Sequence, residues 1–180
     1  MKNQFMRTAI EEAQRGVDAG HGGPFGAVVV RRGAVVGRAH NEVLKTGDPT
    51  AHAEVLAIRR AAARIRSHDL SSCTLYTTCE PCPMCLGAAA WARIRKIVFG
   101  CTGEDAARLG FSDCEIREFL GARPGALPAP GRKRTRSTPA KSPAGEARIQ
   151  RTAPAMVNRG REECLSVFSH WERHPEHRLY

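Results

Sequence analysis

Two short clusters constrain this chain more than anything else in it: His52-Ala53-Glu54, and Pro81-Cys82-Pro83-Met84-Cys85. They supply one imidazole, two thiols and a carboxylate, and zinc takes imidazole and thiolate donors in tetrahedral geometry. His52, Cys82 and Cys85 fill three positions and leave one for water, the pattern of a catalytic rather than a closed site. Two thiolates cancel the charge of the metal, so a bound water is less acidified than in an all-histidine site and needs a neighbouring base. Glu54 is the obvious one. Any fold must bring both clusters to one point.

Local sequence suggests how. Asp48-Pro49-Thr50 reads as a helix start, and Ala51 to Ile65 is rich in helix formers. His52 and Glu54 are then expected in a first turn, where side chains lean toward the amino-terminal end. A second helix is expected from Pro81, a favoured first residue, to about Arg93. Cys82 and Cys85, three apart, share its face. Two helix starts aimed at a thiolate pair stabilise that charge. Rival readings of Cys-x-x-Cys fare worse. A redox pair expects a thioredoxin-like context, which is missing. A closed zinc site drawing on Cys79 or Cys101 would leave Glu54 without a task.

The 180 residues suffice for one domain with a real core. Neither a bilayer-length apolar run nor a signal-peptide core is present, so no membrane partner is expected. Of seven cysteines, two are committed to metal, which suits a reducing cytoplasm. Cys73, Cys79, Cys101, Cys114 and Cys164 read as small buried hydrophobes. The net charge of +10 invites a nucleic-acid reading, but its distribution argues otherwise. From Arg123 to Arg151 there are eight bases (Arg123, Arg132, Lys133, Arg134, Arg136, Lys141, Arg148, Arg151) against Glu146, which is +7 of the +10. That stretch also holds five prolines and few large apolar residues, the composition of a solvated, flexible insertion. Aromatics for base stacking are not interleaved, so nucleic-acid binding is not favoured.

Three parts follow: a catalytic domain over 1–122, a basic proline-rich insertion over 123–155, and a helix and tail over 156–180 that complete the domain. Lys2 to Asp18 has helical periodicity. Ala27–Val30 and Val35–Ala39 read as a hairpin around Arg31-Arg32-Gly33. Strands are expected at Thr74–Thr78, Lys96–Gly100 and Glu115–Phe119, and a last helix at Arg161–Trp171. The strand–helix–strand order over 74–100 implies a parallel pair. The expected fold class is α/β, a three-layer α/β/α sandwich with a mixed sheet of about five strands.

These residues together resemble the cytidine-deaminase-like superfamily, whose metal pattern is His-x-Glu with Pro-Cys-x-x-Cys. Within it the chain is most similar to bacterial guanine deaminases. The segments carrying that likeness are 22–27, Asn41, 48–54, 79–87, Trp91-Ala92-Arg93 and Gly110-Phe111-Ser112-Asp113. Ser112-Asp113 stands where the family commonly has two successive acids, and the basic insertion is a further departure. The resemblance implies zinc, a homodimer, and Tyr180 closing over an active site, its own or the partner's. A terminal tyrosine taken by itself reads as a frayed end.

The expected activity is hydrolytic deamination of guanine to xanthine and ammonia, with Glu54 moving the protons. Substrate contacts are expected from Asn41, Phe25, Ala53, Trp91, Asp113 and Tyr180. Asn41 can donate and accept, whereas Asp113 accepts only and suits the donor edge of guanine. Plainer readings make Asn41 a turn residue, Asp113 a cap, and Phe25 and Trp91 core. Glu115 and Glu118 are nearby acids without an assigned role. Rival functions are a tRNA adenosine deaminase, a guanosine or cytosine deaminase, and a zinc-stabilised nucleic-acid-binding module without catalysis.

Overall fold

A computed structural model describes residues 4–121, 153–175 and 177–180. The basic, proline-rich insertion therefore lies, through residue 152, outside the described residues. Helices among the described residues are α1 (Gln4–Asp18), α2 (Val43–Thr46), α3 (Ala53–Ile65), α4 (Pro83–Trp91), α5 (Gly103–Arg108), α6 (Cys114–Phe119) and α7 (Arg161–Arg173). None is long and apolar enough to cross a membrane.

Apolar, β-branched runs build the sheet. β1 (Gly26–Arg31) and β2 (Ala34–His40) form the hairpin. A two-residue turn of matching twist requires positive φ at both central residues, and Arg32 and Gly33 have φ of 49° and 78°. β3 (Cys73–Cys79) pairs antiparallel with β1. β4 (Lys96–Cys101) pairs parallel with β3, and β5 (Ala155–Asn158) parallel with β4. The order is β2-β1-β3-β4-β5.

Alternation along the strands sorts side chains into two cores. Ala27, Val29, Leu75 and Ile97 meet Ala57, Ile58 and Ala61 of α3 and Ala89 of α4. On the opposite face Val28, Val30 and Val98 meet Met6 and Ala9 of α1 and Cys164 and Phe168 of α7. The fold is the three-layer α/β/α sandwich with a mixed five-stranded sheet. Gly37 of β2 lies so close to Ala57 and Ala61 that a Cβ there would overlap the Ala57 carbonyl. That contact seats α3 tightly on the sheet and fixes where its first turn points.

Several expectations are corrected. Glu115–Phe119 is not a strand but most of α6. Ile116 and Phe119 stand three apart, a helical spacing, and Arg117 pairs with Asp113 one turn back, at 2.8 Å. The fifth strand is instead β5, beginning at Ala155, the residue on which the expected insertion ends. Cys114 is exposed rather than buried, and all seven thiols are free. Two short helices, α2 and α5, were not anticipated.

α5 carries a legible signal, the capping box Thr102-Gly-Glu-Asp105. Asp105 accepts from the Thr102 N–H at 2.9 Å and takes a two-pronged contact from Arg161, whose Nε lies at 2.7 Å. This pair fastens the start of α7 to α5, just past the end of β4. Arg161, opposed by burial, holds the Asp105 carboxyl down to about 2. A depressed carboxyl contributes stability at neutral pH that disappears as pH falls from about 4 to 2. Asp105→Asn should therefore lower the unfolding free energy by about 2 kcal/mol at pH 7 and progressively less below pH 4, read by urea denaturation across that range.

Candidate active site

His52 is the N-cap of α3 and Cys82 the N-cap of α4, both in extended backbone conformation. Each lies just before its helix, not inside the first turn as expected, and the proline at the first position of α4 is Pro83. Cys85 follows in the first turn of α4. β3 delivers the chain to this point, so the site sits at the carboxyl end of a parallel strand pair, where open α/β sheets bind ligands.

The donors of His52, Cys82 and Cys85 lie within 4.8 Å of one another. His52 Nδ1 is 3.6 Å from Cys82 Sγ and 3.5 Å from Cys85 Sγ. Tetrahedral zinc, with bonds of about 2.0–2.1 Å to nitrogen and about 2.3 Å to sulfur, sets its donors about 3.5–3.6 Å apart. The residues present therefore fit zinc, with Nδ1 as the ligating nitrogen. The neighbouring Cys85 side chain, helped by His52 against the cost of burial, pulls the Cys82 thiol well down. Cys85, beside Cys82 and Glu54 and itself buried, is pushed up in turn and keeps its proton. A divalent ion displaces such a proton and binds both sulfurs as thiolates.

Glu54, in the first turn of α3, is 5% exposed. Thr77 Oγ1 donates to its Oε1 at 3.1 Å, while its Oε2 lies 3.5 Å from Cys85 Sγ. One oxygen is held and the other faces the ligand cluster. Burial, reinforced by the Cys82 thiolate, raises the Glu54 carboxyl, and His52 partly offsets this. A raised carboxyl suits a group that must take up and return a proton. Thr77 was missed from sequence. The available signal is alternation: Thr77 shares the α3-facing side of β3 with Leu75.

The expected substrate contacts are distributed unevenly. Asn41 follows β2 and is 1% exposed. Its Oδ1 accepts from the Val43 N–H at 3.2 Å, and its Nδ2 has no hydrogen-bond partner among the described residues. The Phe25 carbonyl accepts from the Asn41 N–H at 2.9 Å. The Phe25 ring stacks edge-on against Phe111 and Phe168, at 5.0 and 5.7 Å. Ala53 is fully buried between His52 and Glu54.

Tyr180 lies over the site of its own chain. Its ring is 5.5 Å from that of Phe111. The residue as a whole is 47% exposed, and partial burial of its hydroxyl pushes the phenol up against the favourable Gly23 backbone and Asn41 side chain it faces. Leu179 packs on Gly110, holding the tail down. Two residues differ from the simplest expectation. Asp113 precedes α6 and is engaged by Arg117 at 2.8 Å. Trp91 is neither core nor next to the ligands: it ends α4, about 13 Å from Cys82 by helix rise, and is 72% exposed.

Residues 1–101 match the cytidine and deoxycytidylate deaminase zinc-binding region, and the chain belongs to that family. It is a zinc-dependent enzyme that removes amino groups by hydrolysis. It is similar to guanine deaminase from Bacillus subtilis, at 50% identity over 62% of this chain and 72% of that one. It is also similar to a tRNA-specific adenosine deaminase from Aquifex aeolicus, at 44% identity over 54% of this chain and 64% of that one. Among solved structures, that of Bacillus subtilis guanine deaminase superposes with a TM-score of 0.64 at 36% identity, over 100% of this chain and 99% of that one. A guanine deaminase from Nitrosomonas europaea superposes with a TM-score of 0.69 at 26% identity, over 93% and 82%.

Ligand loss is the direct check of the metal set. Cys82→Ser or Cys85→Ser should purify with less than about a tenth of the wild-type zinc content by elemental analysis, whereas Thr77→Val, which touches no ligand, should keep its zinc.

Proposed function

We propose that this enzyme deaminates guanine to xanthine and ammonia, in a pocket covered by Tyr180 of the same chain. The observation carrying this reading is the position of Tyr180. A side chain laid against Phe111 and facing Gly23 and Asn41 covers the site in a way that suits a small free base better than an RNA loop. The extent of the likeness to guanine deaminases points the same way.

Zinc, when bound by His52, Cys82 and Cys85, supplies a Lewis acid and an acidified water. The chain's own residues do the rest. Asn41 Nδ2, buried, without a hydrogen-bond partner among the described residues and facing the Tyr180 hydroxyl, is a donor placed for an acceptor on the purine edge. Ala53 opens α3, and a helix start leaves backbone N–H groups free to meet a carbonyl such as O6. Phe25 walls the base from the apolar side. Thr77 fixes Glu54 Oε1, so Oε2 faces the reacting atoms. Glu54 takes one proton from the attacking water and passes it to the adjacent ring nitrogen as the carbon–oxygen bond forms at C2. It then carries the second proton to the amine, the C2–nitrogen bond breaks, and ammonia leaves. Water and guanine are consumed; xanthine and ammonia balance them.

Release of ammonia should be seen with guanine and not with guanosine, cytosine or an anticodon stem-loop RNA. Turnover of the RNA alone would instead favour the tRNA adenosine reading. Glu54→Gln should keep its zinc and lose about 10²–10⁴-fold in kcat.

We also propose a homodimer. α4 presents Met84, Gly87 and Trp91 outward, an apolar row spaced as one helix face, with open space above Gly87. A second copy of the chain is the occupant that this row suits, since clustered apolar exposure marks an interface. Trp91→Glu should shift the mass measured by light scattering from dimer toward monomer, while wild type remains a dimer at micromolar concentration.

A further inference from the structure

α6 is inverted. Ile116 and Phe119 face solvent at 53% and 88% exposure, and Leu120 just after the helix at 60%. The charged residue between them, Arg117, is turned inward at 8%. Burying a guanidinium costs several kcal/mol unless its donors are satisfied, so its partners indicate what the inversion achieves. Arg117 Nε donates to Asp113 Oδ1 at 2.8 Å, and Nη2 donates to the Pro81 carbonyl at 3.3 Å. Pro81 immediately precedes Cys82, the ligand that caps α4. A proline has no N–H of its own, so this carbonyl is the polar handle its peptide offers.

We propose that Arg117 is a positioning residue for the metal centre, clamping the Pro81–Cys82 peptide so that Cys82 Sγ is held at the spacing zinc requires. Asp113 fixes the guanidinium from one turn back, and the planar fork spans both acceptors, which the point charge of a lysine would not. The Glu80 and Cys82 side chains lie close enough for their negative charge to favour the cation. The inference concerns the zinc site and is independent of which base is deaminated.

The test is zinc affinity, measured on the full-length chain by competition with a chromogenic chelator at pH 7, with circular dichroism confirming the fold. Arg117→Ala and Arg117→Met should each weaken zinc binding about 10–100-fold, the range seen when a residue that orients a ligand is removed. Arg117→Met fills the same space without donors and carries the test should the alanine variant fail to fold. Phe119→Ser, at an exposed position of the same helix, should bind zinc as wild type does. A folded Arg117→Met of undiminished zinc affinity would overturn the assignment, leaving Arg117 a counter-ion to Asp113. A Phe119→Ser loss as large as that of Arg117→Met would overturn it too, since helix docking in general would then be responsible.

Discussion

A tetrahedral ion dictates distances, and in this chain the distances must be met by side chains thirty positions apart. Metal sites tolerate errors of about 0.2 Å, so two helix starts must be delivered to one point with little slack. The architecture accomplishes this with rigid parts. β3 feeds α4 directly, α3 is pressed onto β2 through Gly37, and both ligand-bearing residues stand at helix caps. Capping positions have backbone geometry set by the helix they start, so the ligands inherit its precision.

Around that centre the polar groups divide the work. Thr77 spends its hydroxyl on one carboxylate oxygen of Glu54, which fixes the direction of the other. Asn41 spends its carbonyl oxygen on the Val43 N–H and retains its amide nitrogen. In both cases one atom is tied so that its neighbour is aimed. Aromatic rings complete the enclosure: Phe25, Phe111, Phe168, Trp171 and Tyr180 form a continuous chain of contacts from the sheet to the last residue.

Much of this was legible because its causes are local. The ligand spacing, Glu54, the hairpin turn and the two strands flanking α4 all follow from neighbouring residues. What was misread depends on distant partners. Glu115–Phe119 is too short to declare its period, and its inward residue is a charge satisfied by Asp113 and by a carbonyl far back in the sequence. β5 is four residues long and half-exposed, too short for periodicity to mark it, and exists because β4 offers an open edge. His52 and Cys82 fall one step outside their helices, within the usual uncertainty of helix ends. Trp91 reads from sequence as pocket lining or core, and nothing local announces that α4 turns it outward. Thr77 could have been found by extending strand alternation to the end of β3.

The pairing of β5 with β4 has an implication for chain continuity. The stretch 122–152 separates the metal ligands from everything that follows, including the tyrosine laid over them. That later part is held by strand pairing, by the Asn158 side chain on the Gly100 carbonyl, and by Arg161 on Asp105. None of these attachments passes through the intervening peptide. Among the described residues, the chain after that stretch is thus seated by its own contacts with β4 and α5, so the tyrosine over the ligands is placed by tertiary attachment to the ligand-bearing part and not by nearness in sequence.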